Sequence, residues 1–333
     1  MIKRTGEIIM NNKLNKATKE FSVNIGTIGT VKGFAVVIKS VVEEYFDKQA
    51  NVSIQHVKKN NGLELTGITI LEGVTNIAPT IYLEGYFNDY CKGESMFSIC
   101  ERIIRVYNEN KVTDDFDISM VTDFSRAKNR ICYKLVNAER NAELLKTVPH
   151  VLVADLAVIF FITVNADETS SATITVRNQF MDVWQDVTVD DLYKLAIDNT
   201  QRIFRGRVAS MMSVLTELMA VELDKEYANE FFDMVAEGDF PMFIATNTAR
   251  LNGASVILYK DLLKTFADKI GNDFYILPSS VHEVLFVPAD ASMDADYLRG
   301  MVREVNCTEV SPEEYLSDNV YYYNSLLDRM EIV

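Results

Sequence analysis

The chain has 333 residues, of which 48% are hydrophobic and 24% are charged, and its formal net charge is -15. These proportions are typical of a globular protein, and they exclude disordered, collagen-like and low-complexity chains. The acidic excess is confined to one part of the sequence. Lys and Arg number 20 against 18 Asp and Glu up to residue 150, and 13 against 30 after it.

The charge limits the classes of partner. Nucleic-acid binding depends on Lys and Arg that neutralise phosphates, so we expect no nucleic-acid partner for a chain with a pI near 4.7. One short basic run, at residues 126–130, follows an acidic one. We interpret the basic run as a solvated face, with a phosphate contact as the alternative.

The first part of the chain combines amphipathic helices with short strands. Apolar residues recur at three-to-four spacing in the helices, and Asn61-Gly62 is typical of a hairpin turn. The predicted elements are a helix at 31–47, strands at 52–57 and 63–70, helices at 80–91 and 96–108, a strand at 118–121, a helix at 123–129, a strand at 131–136 and a helix at 138–145.

A strongly apolar stretch follows Pro149 and covers residues 151–164, interrupted by Asp155. It predicts one long strand bent near Asp155, or two short strands. The elements predicted after it are a strand at 172–176, helices at 188–202, 208–221 and 224–237, strands at 241–246 and 254–258, a helix at 260–270, a hairpin of 274–277 with 283–287, and a helix at 294–305.

Many of the predicted strands come in adjacent pairs, which favours an α+β fold with mixed, mostly antiparallel sheets flanked by amphipathic helices. Near Pro149 the charge balance changes and a strongly apolar stretch begins. We therefore expect an N-terminal extension at 1–33 and two α+β regions, at 34–148 and 149–333, which could also pack as one continuous domain.

We expect a cytoplasmic protein that does not cross a membrane. The first residues lack an apolar core of signal-peptide length, and the stretch 151–164 is shorter than the roughly twenty residues that span a bilayer. The four cysteines show neither C-x-x-C spacing nor a nearby histidine, so we expect buried thiols and no metal or other cofactor. They are Cys91, Cys100, Cys132 and Cys307.

The best catalytic candidates lie in the segment 279–283, where Ser279, Ser280 and His282 precede Glu283. In an extended segment Ser280 and His282 share a face while Glu283 points to the other side, so His282 would need a carboxylate from elsewhere as its partner. Asp155 is a candidate for that carboxylate. The alternatives are a tight turn around the serines, and an Asp155 that serves only a bend or bulge.

A ligand-binding loop is the second candidate site. Asn247, Asn252 and Gly253 lie between two predicted strands, and loops on a rigid sheet often carry function. Asn and Gly also suit turns because they tolerate positive φ, so a purely structural loop is the alternative.

Several segments, in this order, resemble a bacterial family that is known mainly from anaerobic Gram-positive genomes and is classed as a domain of unknown function. The resemblance covers the chain from about residue 34 to its end, and Pro-Ser-Ser-x-His-Glu at 278–283 is its most specific part. It implies no activity, cofactor or catalytic residue. The segments are 76–83, 148–151 with 155–158, 188–200, 252–255, 276–284 and 302–306.

Three functions follow as hypotheses. The first is a cytosolic, non-catalytic binding or adaptor protein whose partner is a protein or a small molecule. The second is a hydrolase or transferase that uses His282 with Ser279 or Ser280. The third is a structural homo-oligomer that assembles through the aromatic tail Tyr321-Tyr322-Tyr323.

Overall fold

The computed structural model describes residues 13–18, 28–73, 78–111, 117–166, 171–222, 242–289 and 294–333. The chain divides into two compact units. The first comprises Met1–Lys59 and Leu63–Asp117, and the second comprises Asn60–Gly62 and Ile118–Val333. Pro149, near which the charge balance and the apolar content of the sequence change, lies inside the second unit.

The first unit contains an antiparallel sheet of three strands in the order β1-β2-β3, and its described helices are a short segment at 13–18 and three longer helices. Helix α1 begins where Thr30 accepts a hydrogen bond from Gly33 N, and α3 begins where Ser95 accepts one from Ser98 N. The elements are α1 (Val31–Tyr45), β1 (Asn51–Lys58), β2 (Glu64–Leu71), β3 (Thr80–Tyr82), α2 (Glu84–Cys91) and α3 (Met96–Asn110).

One apolar core holds these elements together. Helix α1 buries Phe34 and Ile38 on one face, and α3 buries Ile103 and Ile104, as the three-to-four spacing predicts. Phe34 also packs its ring 5.5 Å from that of Phe87 in α2. The prediction of a helix at 80–91 is wrong for its first turn, since the helix begins only at Glu84. Residues of β3 pair with β2 instead, because a neighbouring strand edge outweighs local helix preference.

The second unit contains two antiparallel sheets. In the smaller one, the long strand β6 pairs with β4 along one edge and with β5 and then β7 along the other. The larger has six strands in the order β13-β12-β10-β11-β9-β8. The expected α+β fold with mostly antiparallel sheets is therefore confirmed.

The strands of the second unit are β4 (Ile131–Asn137), β5 (His150–Val153), β6 (Leu156–Ala166), β7 (Ser171–Thr175), β8 (Gly206–Ser210), β9 (Phe243–Asn247), β10 (Phe274–Leu277), β11 (Val284–Pro288), β12 (Tyr321–Asn324) and β13 (Arg329–Ile332). The helices are α4 (Ser119–Thr122), α5 (Phe124–Ala127), α6 (Ala142–Leu145), α7 (Asn178–Trp184), α8 (Val189–Ile203), α9 (Met211–Glu222), α10 (Leu262–Ile270) and α11 (Ala295–Thr308), with 3-10 turns at Lys128–Arg130 and Gly253–Leu258.

Several wrong predictions concern short segments. Residues 118–121 and 254–258 were expected as strands but form α4 and a 3-10 helix, and 206–210 forms β8 although a helix was expected from residue 208. A segment of four or five residues is too short to show a period that separates helix from strand, so packing decides its form. The helix predicted at 224–237 lies outside the described residues.

Helix α8 covers the outer edge of β4. Thr188 and Asp191 form a capping box at the start of the helix. The last turns of the helix pack on β4. There the buried Thr200 hydroxyl accepts a hydrogen bond from Tyr133 N at 3.0 Å, and Asn199 Nδ2 donates to Ile131 O at 2.9 Å. Side chains of a helix thus bond the main-chain groups that a further strand would bond.

This edge contact predicts that Thr200→Val destabilises the second unit by about 1–3 kcal/mol, because the buried N–H of Tyr133 loses its acceptor while the side-chain volume is kept. Urea unfolding followed by circular dichroism measures the change. Thr308→Val is the matched control, since Thr308 is exposed on α11, and we expect its effect to stay within about 0.5 kcal/mol. A Thr200→Val chain as stable as the unaltered one would contradict this role.

Candidate functional site

The segment between β10 and β11 that carries the predicted catalytic residues is held in extended form by a later part of the chain. Ser280 forms a single antiparallel bridge with Tyr315. Leu316 N donates to Ser279 O at 3.1 Å, and Val281 N donates to Glu314 O at 2.8 Å. The serine-histidine segment is therefore paired like a strand.

The side chains of Ser280 and His282 bond to different groups. Ser280 is 7% exposed, and its Oγ accepts the main-chain N–H of His282 at 3.0 Å. The imidazole Nδ1 accepts Asn252 N at 3.3 Å, while Nε2 lies 3.7 Å from Glu314 Oε1. With Nδ1 as an acceptor, the neutral ring carries its proton on Nε2 and faces a carboxylate. In a nucleophilic triad one ring nitrogen would instead accept the serine hydroxyl.

Glu314 is the acidic neighbour of His282 that sequence reasoning missed. It lies 32 residues further along the chain, and the two meet because the residues on either side of Tyr315 run beside the loop. No spacing rule connects residues that meet through tertiary pairing alone.

Asp155 serves a different part of the second unit. It lies in the tight turn between β5 and β6, so the apolar stretch forms two strands rather than one. Its carboxylate accepts hydrogen bonds from Ser317 Oγ at 2.5 Å, from Asn319 Nδ2 at 2.9 Å and from the Tyr321 hydroxyl. Burial and the charge of Asp155 raise the pKa of Tyr321 well above its usual value. This carboxylate fastens the segment that leads into β12.

The side chains of the three tail tyrosines make contacts within the second unit. Tyr321 and Tyr323 are buried, and Tyr322 donates to Asp273 Oδ2 at 2.8 Å. Burial and this hydrogen bond raise the pKa of Tyr322 to about 12. The hydroxyl of Tyr323 is bonded to Asp328. The aromatic tail thus forms β12 inside the six-stranded sheet.

The predicted binding loop and His282 come together. Asn252 adopts a left-handed conformation, with φ of 52°, and its N–H reaches the imidazole. Gly253 lies so close to the strands that an added Cβ would overlap Thr246 Oγ1 and His282 O, so only glycine fits. Asn247 is 1% exposed and closes the turn by donating from Nδ2 to Leu251 O at 2.8 Å. These groups are satisfied by one another.

The cysteines differ from the expectation in part. Cys100 and Cys132 are buried, and burial raises the pKa of each thiol to about 12. Cys91 and Cys307 are exposed, so the expectation of four buried thiols is wrong for these two, which lie at the ends of α2 and α11. Within the described ranges no group of three or more His, Cys, Asp or Glu is placed to hold a metal ion. No helix there is long and apolar enough to cross a membrane.

A cleft of about 770 Å³ runs along β8, and sequence reasoning missed it. All five residues of β8 line it. Since successive side chains of a strand point to opposite faces, a cleft that touches all five reaches the edge of the strand. Its lining residues are Gln201, Gly206, Arg207, Val208, Ala209, Ser210, Ser213, Phe243, Tyr259, Lys260, Asp261, Leu262, Thr265, Phe266 and Lys269.

The register of β8 on β9 shows which main-chain groups face the cleft edge. Thr248 N donates to Arg205 O, and Met211 N donates to Met242 O, each at 2.8 Å, just beyond the two ends of the strand pair. Hydrogen-bonded and non-bonded pairs alternate in an antiparallel ladder, so the odd-numbered residues of β8 bond β9. The main-chain N–H and C=O groups of Gly206 and Val208 therefore face away from β9. Among the described residues no backbone partner bonds them.

The cleft pairs an apolar wall with basic side chains. Phe266 of α10 packs its ring 5.0 Å from that of Phe243 and forms the wall with it. Among the described lining residues, Arg207, Lys260 and Lys269 supply three positive charges and Asp261 supplies one carboxylate. Arg207 is paired with Glu217 at 2.5 Å, whereas neither lysine has an ion pair within the part of the chain that the structure describes.

The close approach at Gly253 predicts that Gly253→Ala destabilises the second unit by about 3 kcal/mol, because β9 or the His282 loop must shift to admit a methyl group. Gly300→Ala is the matched control. An added Cβ at Gly300 meets nothing within 4 Å in the interior of α11, so the same change there stabilises by about 0.5–1 kcal/mol. Urea unfolding of both variants gives the comparison, and a neutral Gly253→Ala would rule out the tight packing at His282.

Comparison with known proteins gives a family but no function. No curated protein and no solved structure matches the chain. A family model described as a family of unknown function, DUF5688, matches residues 31–325 and thus covers both units of the fold. The chain belongs to this family.

Proposed function

We propose that the protein is a non-catalytic binding protein that holds an extended, acidic peptide segment of a partner protein against the outer edge of β8. The observation that carries this proposal is the outer edge of β8, where no strand of the described residues pairs and the groups of Gly206 and Val208 face a cleft. A strand edge of this kind is the template for strand addition, in which main-chain hydrogen bonds supply affinity.

The side chains around the edge set the chemistry of the segment. Lys260 and Lys269 are exposed at the cleft, in a chain whose net charge is -15. Positive charges without an ion pair among the described residues favour carboxylates in the ligand and steer its approach. Phe243 and Phe266 offer an apolar surface to one side chain of the bound strand. We therefore expect alternating acidic and apolar or β-branched residues in the segment.

The contacts of His282 support a non-catalytic protein. Its ring is held by the N–H of Asn252 on one side and faces Glu314 on the other, while Ser280 bonds a main-chain group. Asp155 is engaged by three side chains of the segment 317–321. His282, Ser280 and Asp155 thus each bond structural partners, and the main-chain oxygen of Ser279 accepts Leu316 N.

The test begins with selection of peptides from a random phage-displayed library on the full chain, followed by fluorescence polarisation with one selected peptide. We expect acidic, strand-forming sequences. Val208→Pro removes an outward N–H without breaking the ladder to β9, so it should weaken binding about tenfold or more. Val208→Ala keeps the N–H and is the matched control for the lost side chain.

Charge is tested with the same peptide. Lys260→Glu combined with Lys269→Glu should also weaken binding, whereas Lys264→Glu, on the exposed face of α10 and outside the cleft, should not beyond the small effect of net charge. Selected peptides that bind Val208→Pro as tightly as the unaltered chain would overturn strand addition. Failure to select any peptide would instead favour a small-molecule ligand, since the cleft volume lies within the usual range for such sites.

A further inference from the structure

A second cleft, of about 690 Å³, lies in the same unit where β6 ends beside the last turn of α8, and it shares no lining residue with the cleft along β8. Its lining is mostly polar, and two of its residues are the arginines Arg130 and Arg202. Arg130 ends the basic run 126–130, for which the sequence left open a solvated face or a phosphate contact. The cleft places a second arginine, 72 residues further along the chain, beside it.

Both guanidinium groups are held by neutral oxygens. Arg130 Nη1 donates to Val164 O at 2.9 Å. Arg202 Nη2 donates to Asn129 O at 2.7 Å and to Asn199 Oδ1 at 2.9 Å. Carbonyl and amide oxygens orient a guanidinium without neutralising it. Within the described residues no carboxylate lies within 4.0 Å of either group.

The scaffold behind the arginines is rigid. Asn199 is buried, and its Nδ2 donates to Lys128 O at 2.8 Å and to Ile131 O at 2.9 Å, so one amide fixes both the 3-10 turn and the arginine of α8. A guanidinium has five N–H donors spread over three nitrogens. Each arginine commits one terminal nitrogen to the protein, which leaves the other terminal nitrogen and Nε for a ligand.

We propose that this cleft binds the phosphate group of a small phosphate ester. Two unneutralised guanidinium groups match the charge of a phosphate monoester, which is close to -2 at neutral pH, and forked N–H donors match its oxygens. No aromatic ring is among the described lining residues, which therefore offer no stacking platform for a nucleobase. The rest of the ligand is small and polar, since Asn129 and Thr163 are the neighbouring polar side chains. This site is independent of the peptide cleft along β8.

The test is titration calorimetry of the full chain with glycerol 3-phosphate and with inorganic phosphate, at constant ionic strength set with chloride. We expect saturable binding of one equivalent, weakened about tenfold or more by Arg130→Gln and by Arg202→Gln. Arg303→Gln, on an exposed part of α11 outside the cleft, should bind as the unaltered chain does. The protein should not co-sediment with vesicles that contain phosphatidic acid, because a free phosphate ester is the expected ligand.

A second measurement distinguishes ligand binding by the arginines from a purely structural role. Arg202 lies near the carboxyl end of α8, where a cation also stabilises the helix, so its loss could lower the melting temperature without any ligand. We therefore compare the rise in melting temperature that glycerol 3-phosphate produces in each variant. The site predicts a rise in the unaltered chain and in Arg303→Gln, and none in Arg130→Gln or Arg202→Gln. An equal rise in all four, no rise in any, or binding to vesicles alone would overturn the proposal.

Discussion

Main-chain N–H and C=O groups at a sheet edge need hydrogen-bond partners, and two edges of the second unit differ in what supplies them. At β4 a helix supplies the partners, through the hydroxyl of Thr200 and the amide of Asn199. At β8 the described chain supplies none, and a cleft with basic side chains lies there instead. A buried donor without an acceptor costs free energy, whereas one at an open cleft can be bonded by water or by a ligand. The proposed peptide site follows from this difference.

The same requirement explains what the predicted catalytic residues do. The segment 314–321 runs along the loop that carries Ser280 and then past the turn that carries Asp155, and it contacts both. Ser280, His282 and Asp155 each bond polar groups of the surrounding chain, and two partners of Asp155, Ser317 and Tyr321, are buried. Polar residue types that suit catalysis also suit this fastening, because both depend on directional hydrogen bonds. The contacts of these residues, rather than their residue types, therefore distinguish a catalytic role from a structural one.

Long periodic segments could be predicted from the sequence, and short or pairing-dependent ones could not. The apolar residues of α1 and α3 recur at helical spacing and mark the buried face of each helix, which is a local signal. Residues 80–82 and 118–121 take their form from the neighbours against which they pack. The family resemblance was confirmed at the level of a family of unknown function, and it adds no site.

The clefts were beyond sequence reasoning for a physical reason. The cleft along β8 draws its lining from residues 201 to 269, and the arginine cleft from residues 129 to 203. Neither set has a spacing that marks it in the chain, because strand order and helix packing bring the members together. The one sequence clue was the basic run at 126–130, and it gained meaning only when Arg202 was found beside it.

The most direct test of the central claim is hydrogen–deuterium exchange at single amides of the full chain, measured by NMR with and without a saturating selected peptide. The outward amides of Gly206 and Val208 should exchange about tenfold or more slowly in the complex, since the peptide strand bonds them. The amide of Ala209, which already bonds β9, should change much less. Unchanged exchange at Gly206 and Val208 in a saturated complex would contradict strand addition at β8.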